Sequence, residues 1–209
     1  CQLRERGHEE EEPAAGAARA PAAGGFTAIC AMPNTDPVTD NQAAVGFIVR
    51  QSGRAGGARV HPIGAVSIGQ KGERLAEFGE MVSAGAVAVS DDGKPVVSSH
   101  LMRTALEYAR TFNIPVADHC EDPTLAAGGV MHEGLVATRL GLKGIPWAAE
   151  EIMVARDVVL AELTGGLVHL CHMSARGSVA IIREAKERGI RVTAEVTPHH
   201  LTLTDYACG

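Results

Sequence analysis

Residues 167–196 read LVHLCHMSARGSVAIIREAKERGIRVTAEV. Two short apolar runs, Leu167–His172 and Arg191–Val196, flank a stretch at about 175–188 with helical spacing of its apolar residues. A strand, a helix and a second strand in that order form the unit from which parallel sheets are built. Working outward, the same alternation recurs. Further strands are predicted at Phe26–Met32, Val60–Val66, Ala86–Val89 and Pro115–His119. Helices are predicted at about 39–52, 71–83, 98–112 and 150–163, as in the three- and four-residue spacing of Leu101, Ala105, Leu106 and Ala109. Residues 120–149 read as Gly-rich loop and short helix. The Ala-, Glu- and Gly-rich first 24 residues can form a helix that Pro13, Gly16 and Pro21 weaken.

About five strand–helix repeats give an α/β chain with a parallel sheet. No GxGxxG or GxxxxGK[ST] follows any strand, so the main signal of a nucleotide-binding open sheet is missing. The polar residues gather just after strand ends: Asn34, Asp91 and Asp92, His119 to Glu121, His172, and His199 with His200. In a (β/α) barrel those ends converge on one face, where catalytic groups collect. The fold class predicted is therefore α/β, an incomplete TIM-type (β/α)8 barrel. One strand before residue 1 and one after residue 209 would close it. The division expected is a degenerate N-terminal segment, 1–24, and a partial barrel domain, 25–209.

Composition narrows the function. The 209 residues hold 19 Lys+Arg against 25 Asp+Glu, a formal charge of −6, with only 3% aromatics. That excludes the basic patch and stacking platform of a nucleic-acid binder. No apolar run is long enough for a membrane span. Five scattered cysteines without a CxxC pair read as reduced thiols of a cytoplasmic protein. Cys30, Cys120 and Cys171 are expected to be buried, the last two close enough to the strand ends to be reactive.

Side chains alternate along a strand. If His172 points into the barrel, Val168 and Leu170 follow it, while His169 and Cys171 face the helices. If His119 points inward, Asp118 and Cys120 face away. His119, His172 and Asp92 then share one mouth, and two imidazoles with a carboxylate suit Zn²⁺. A strand-end histidine serves equally as a structural hydrogen-bonding residue, so both readings stand. His8, His61, His100 and His132 read as surface or loop residues. For His199 and His200, lining the mouth and stabilising a turn are equal options. Met102, Met131 and Met153 read as core.

The strings FTAICAMPNTDP, AVAVSDDGKPV, ADHCED, GVMHEG, ARDVVLAELTGGLVHLCHMSARGS and VTAEVTPHHLTLTD, in order from residue 24 to about 206, resemble the dihydroorotases of the amidohydrolase superfamily, class I bacterial type. The resemblance implies a zinc hydrolase of a cyclic amide that interconverts N-carbamoyl-L-aspartate and L-dihydroorotate in pyrimidine biosynthesis. It implies Asp92, His119 and His172 as metal ligands. Asn34 would hold substrate, and Arg4 would pair with its carboxylate through a guanidinium fork. Asp92 stands where hydantoinases and allantoinases carry a carboxylated lysine, which argues against that branch.

The start departs from the family pattern HxHLREPG. Here residues 1–7 read CQLRERG, with Gln2 at the second histidine and Arg6 at the proline. The first histidine would precede Cys1, and the family's general acid/base aspartate would lie beyond Gly209. The expectation is at most one Zn²⁺ of the family's two, no catalytic acid/base residue in the chain as given, and little or no activity. The alternative retained on Gln2 is a non-catalytic dihydroorotase-like scaffold subunit for aspartate transcarbamoylase. A hydantoinase- or allantoinase-type amidohydrolase is the third reading, and self-association is left open.

Overall fold

The computed structural model describes residues 14–55 and 57–208. In chain order the elements are α1 (Ala14–Ala23), β1 (Ala28–Ala31), α2 (Gln42–Ala55), β2 (Arg59–Gly64), α3 (Phe78–Ser83), β3 (Ala88–Ser90), α4 (Ser99–Thr111), β4 (Val116–Asp118), α5 (Pro123–Ala126), β5 (Met131–His132), α6 (Leu135–Leu140), β6 (Gly144–Ile145), α7 (Ala148–Thr164), β7 (Val168–Leu170), α8 (Arg176–Glu187), β8 (Val192–Ala194) and α9 (Pro198–Thr202). The strands order β1-β2-β3-β4-β7-β8 in one parallel sheet, curled into a half-barrel, and β5 pairs with β6 in a separate parallel ribbon. No helix among the described residues is long and apolar enough to cross a membrane.

The register fixes which face is which. Val89 pairs with Val116, Val116 with Val168, and Val168 with Val192. Directly paired residues share a face of a sheet. All four valines are buried in one cluster with Met102 and Leu106 of α4 and Val154 and Val158 of α7. This row therefore faces the helices, and burying each valine contributes about 1.5–3 kcal/mol. The next row, Ser90, Ala117, His169 and Thr193, lies on the concave face.

Helix α4 matches its predicted periodicity. Leu101, Met102, Ala105, Leu106 and Ala109 are its buried residues. Ser98 caps its start by accepting from the Leu101 backbone N–H at 3.2 Å. Helix α7 stops at Gly165, whose left-handed φ of 66° turns the chain back into β7.

Three local expectations change. The helix predicted at 71–83 is only Phe78–Ser83. Upstream, Ile68 N–H donates to Arg74 O and Ala76 N–H to Val66 O, so residues 67 and 75 meet in an antiparallel bridge instead. Residues 130–146 hold the β5–β6 ribbon within what reads as loop. Cys30 is exposed rather than buried, because it lies in β1 at the edge of the sheet. Met102 and Met153 are core residues, and Met131 belongs to a small cluster with Val136 and Ala137.

Candidate metal centre

The ends of β4 and β7 bring two imidazoles together. His119 Nδ1 lies 2.9 Å from His172 Nε2, with ring centroids 4.7 Å apart and planes at 71°. His119 follows β4 in ordinary alternation. Its neighbours Asp118 and Cys120 turn to the helix side, where Asp118 accepts from the Val96 N–H at 3.1 Å and from Arg156 of α7 at 3.2 Å.

His172 reaches the site by a different route. Alternation from His172 places Val168 and Leu170 inside the barrel, but both lie in the helix-facing core. His169 and Cys171 face the concave side instead. The reason is the backbone. β7 ends at Leu170, and His172 has a left-handed φ of 44°, a conformation that costs a non-glycine residue about 1–3 kcal/mol. The flanking residues hold it there. The Cys171 N–H donates to Asp118 O on β4, and the Met173 N–H donates to Glu195 O beyond β8. Glu150, in the first turn of α7, then accepts from the backbone N–H of Ser174 at 3.0 Å and of Ala175 at 2.9 Å, and from Ser174 Oγ at 2.7 Å.

Asp92 and Asn34 meet at the ends of β3 and β1. Asn34 Nδ2 donates to Asp92 Oδ2 at 3.1 Å. Its Oδ1 is buried without a hydrogen-bond partner. The Asp92 N–H donates to Ser90 Oγ at 3.0 Å. Asp91 plays a different part. It is buried and accepts from the backbone N–H and hydroxyl of Ser67, and burial raises its pKa. Of the SDDG pair, Asp92 thus stays at the strand mouth and Asp91 anchors the neighbouring loop.

Burial first, and then His172, lower the pKa of His119, against opposing pulls from Glu121, Asp92 and Asp118. A neutral imidazole is the form that binds metal. The thiols behave otherwise. Burial pushes Cys171 up to about 12, with Glu195 adding to the effect. Burial and then the charges of Asp157 and Asp118 push Cys120 well up. Protonated thiols are poor nucleophiles, so the reactivity expected of these two is not favoured.

Between the half-barrel and the β5–β6 ribbon lies a cavity of about 1020 Å³, lined by His119, His172, Trp147, Arg176 and both His199 and His200. His200 combines both of its sequence readings, since its Nδ1 also lies 3.2 Å from Thr197 Oγ1 at the start of α9. His132, exposed as the sequence suggests, lines the cavity too, from β5. Arg4 lies outside the described residues.

Residues 1–178 match the protein family described as "Dihydro-orotase-like". The chain belongs to the dihydro-orotase-like family. It is 60% identical over 203 residues to a dihydroorotase of Anaeromyxobacter sp. strain K, covering 97% of this chain and 47% of that protein. It is 60% identical over 205 residues to a dihydroorotase of Pelotomaculum thermopropionicum, covering 98% and 48%. The chain thus spans about half the length of the curated relatives it matches. Among solved structures, an L-hydantoinase from Arthrobacter aurescens superposes with a TM-score of 0.70 at 23% identity, over 88% of this chain and 42% of that one. This likeness shows a shared α/β barrel fold over the part that the chain spans.

The donor set can be tested against the metal that the dihydro-orotase-like family implies. Two nitrogens bound to one tetrahedral zinc lie about 3.3 Å apart. The His119–His172 separation of 2.9 Å is within a few tenths of that. Asp92 does not close on the pair. Among the described residues, two trios bring ligand atoms within 4.8 Å of one another, and both consist of other side chains. The imidazole pair therefore fits a metal, with Asp92 held back on Asn34.

The sequence reasoning missed Glu150, Trp147 and the β5–β6 wall. A strand of two residues leaves no periodic signal. Glu150 reads as an ordinary first-turn acid, and its partners lie 24 residues away.

Proposed function

We propose that the chain carries the metal- and substrate-binding half of a dihydroorotase, a zinc-dependent cyclic amide hydrolase acting between N-carbamoyl-L-aspartate and L-dihydroorotate in pyrimidine biosynthesis. The observation that carries this reading is the His119–His172 pair at 2.9 Å beside a cavity large enough for a small substrate. His119 and His172 would hold the ion, joined by Asp92 once its carboxylate leaves Asn34. The bound ion would supply Lewis-acid polarisation of the amide carbonyl and a lowered pKa for water.

The chain's own residues perform the rest. Asn34 offers its unpartnered Oδ1 to a substrate N–H. Arg4 pairs with a substrate carboxylate. Glu150 fixes the loop that aims His172. Gln2, at the place of a metal-binding histidine, supports weak turnover by the chain as given, with at most one ion at this site.

The test is metal content of the purified chain against His172→Ala, with carbamoyl-aspartate cyclisation assayed on the same samples. Zinc content falling by about one ion per chain in the variant is the expected result. Equal metal in both proteins overturns the site. Turnover at the rate of an ordinary enzyme overturns the impaired reading.

A further inference from the structure

The concave face carries a second set of metal-ligand atoms that the proposed function does not use. The β7–β8 register pairs His169 with Thr193 and Leu170 with Ala194, which sets Cys171 beside Glu195. Two backbone bonds hold that pairing beyond the strands: Glu195 N–H to Leu170 O at 3.1 Å, and Met173 N–H to Glu195 O at 2.9 Å. His169, Cys171 and Glu195 each place one ligand atom within 4.8 Å of the other two.

We infer that His169, Cys171 and Glu195 form a separate site for a borderline divalent cation of the zinc or cobalt type. Three observations carry this. The first is the orientation of the imidazole. His169 Nδ1 is taken by Thr193 Oγ1 at 2.8 Å, which leaves Nε2 facing the Glu195 carboxylate. A ligating histidine is oriented in this way, with its other nitrogen held by a neighbouring oxygen. The second is spacing. Nε2 lies 3.6 Å from Glu195 Oε2. That is too long for a hydrogen bond, and close to the roughly 3.3–3.6 Å between two ligands of one tetrahedral zinc. The third is the donor set: one imidazole nitrogen, one sulfur and one carboxylate oxygen suit zinc or cobalt and disfavour magnesium or calcium.

The site has an approach from solvent. The side chains of His169 and Glu195 are 27% and 53% exposed, with Cys171 buried beneath them. Three protein ligands leave a fourth position for water. Binding replaces the Cys171 S–H bond with a sulfur–metal bond, and the proton goes to solvent. The other trio, Asp118, Cys120 and Asp157, is fully buried and already has a cation, since Arg156 donates to both carboxylates.

Cobalt tests the inference and separates it from the His119–His172 site, because only a thiolate ligand gives a sulfur-to-cobalt charge-transfer band in the near ultraviolet. The metal-free 209-residue chain is titrated with Co²⁺ alone. The band is expected in the wild type and in the His119→Ala/His172→Ala double variant, and is expected to vanish in Cys171→Ser. Glu195→Gln, on the exposed rim where folding is least disturbed, should weaken the cobalt affinity at least tenfold. A wild type without the band overturns the site, as does a band that survives Cys171→Ser. Loss of the band only in the double variant assigns the cobalt to the other centre and overturns it too. A His169–Glu195 ion pair without metal affinity would show no band at any cobalt concentration.

Discussion

The two faces of the central strands carry clusters of nearly the same chemistry and treat them in opposite ways. On the helix side, Asp118, Cys120 and Asp157 are buried, and the Arg156 guanidinium lies among them. It also donates to the carbonyls of Val96 at 2.6 Å and Val97 at 3.2 Å. On the concave side, His169 and Glu195 reach solvent above a buried Cys171, and among the described residues no guanidinium pairs with them. Proximity of ligand atoms alone does not distinguish the two. The positive charge does: one cluster has it built in and serves the scaffold, and the other has room to acquire it.

The largest expected break in this comparison comes from Arg156→Met. It strands two buried carboxylates and should cost about 3–5 kcal/mol in urea denaturation. A loss under about 1 kcal/mol would show that the helix-side cluster does not depend on its arginine. A smaller effect of opposite sign is expected on the concave side. His172→Gly relieves a left-handed residue and should leave stability unchanged or raise it by about 1 kcal/mol, while zinc affinity falls. Loss of stability on that change would mean the imidazole is a structural brace.

The smallest effect is a change of slope. Burial and then the charge of Asp118 raise the pKa of Asp157 well above its ordinary value. A carboxyl raised on folding contributes stability that is fully present below its unfolded pKa of about 4 and is lost as pH rises through the folded pKa. Stability measured from pH 4 upward should therefore decline less steeply in Asp157→Asn. An equal slope in both proteins would remove Asp157 from the pH response.

The parts of the molecule that are periodic were legible in the sequence. The buried face of α4 follows from spacing, and every strand of the large sheet overlaps its predicted stretch. The direction of His119 follows from alternation along β4, which ends one residue earlier at Asp118. His172 does not, because a single left-handed residue reverses the inference for the whole of β7, and no residue type at 172 announces it. Segment 71–77 departs from its helical spacing for a related reason: a tertiary bridge to Val66–Ile68 overrides the local pattern. The β5–β6 wall was too short to carry a period.

Glu150 ties the His172 loop to the helix layer. Its bonds to Ser174 and Ala175 span 24 and 25 residues of chain. They form only after α7 has docked and the polypeptide has returned through β7. The loop that aims the imidazole is thus tied to the helix layer through Glu150 and to the sheet through Asp118 and Glu195. Fraying of the first turn of α7 would free that loop while the sheet stays folded.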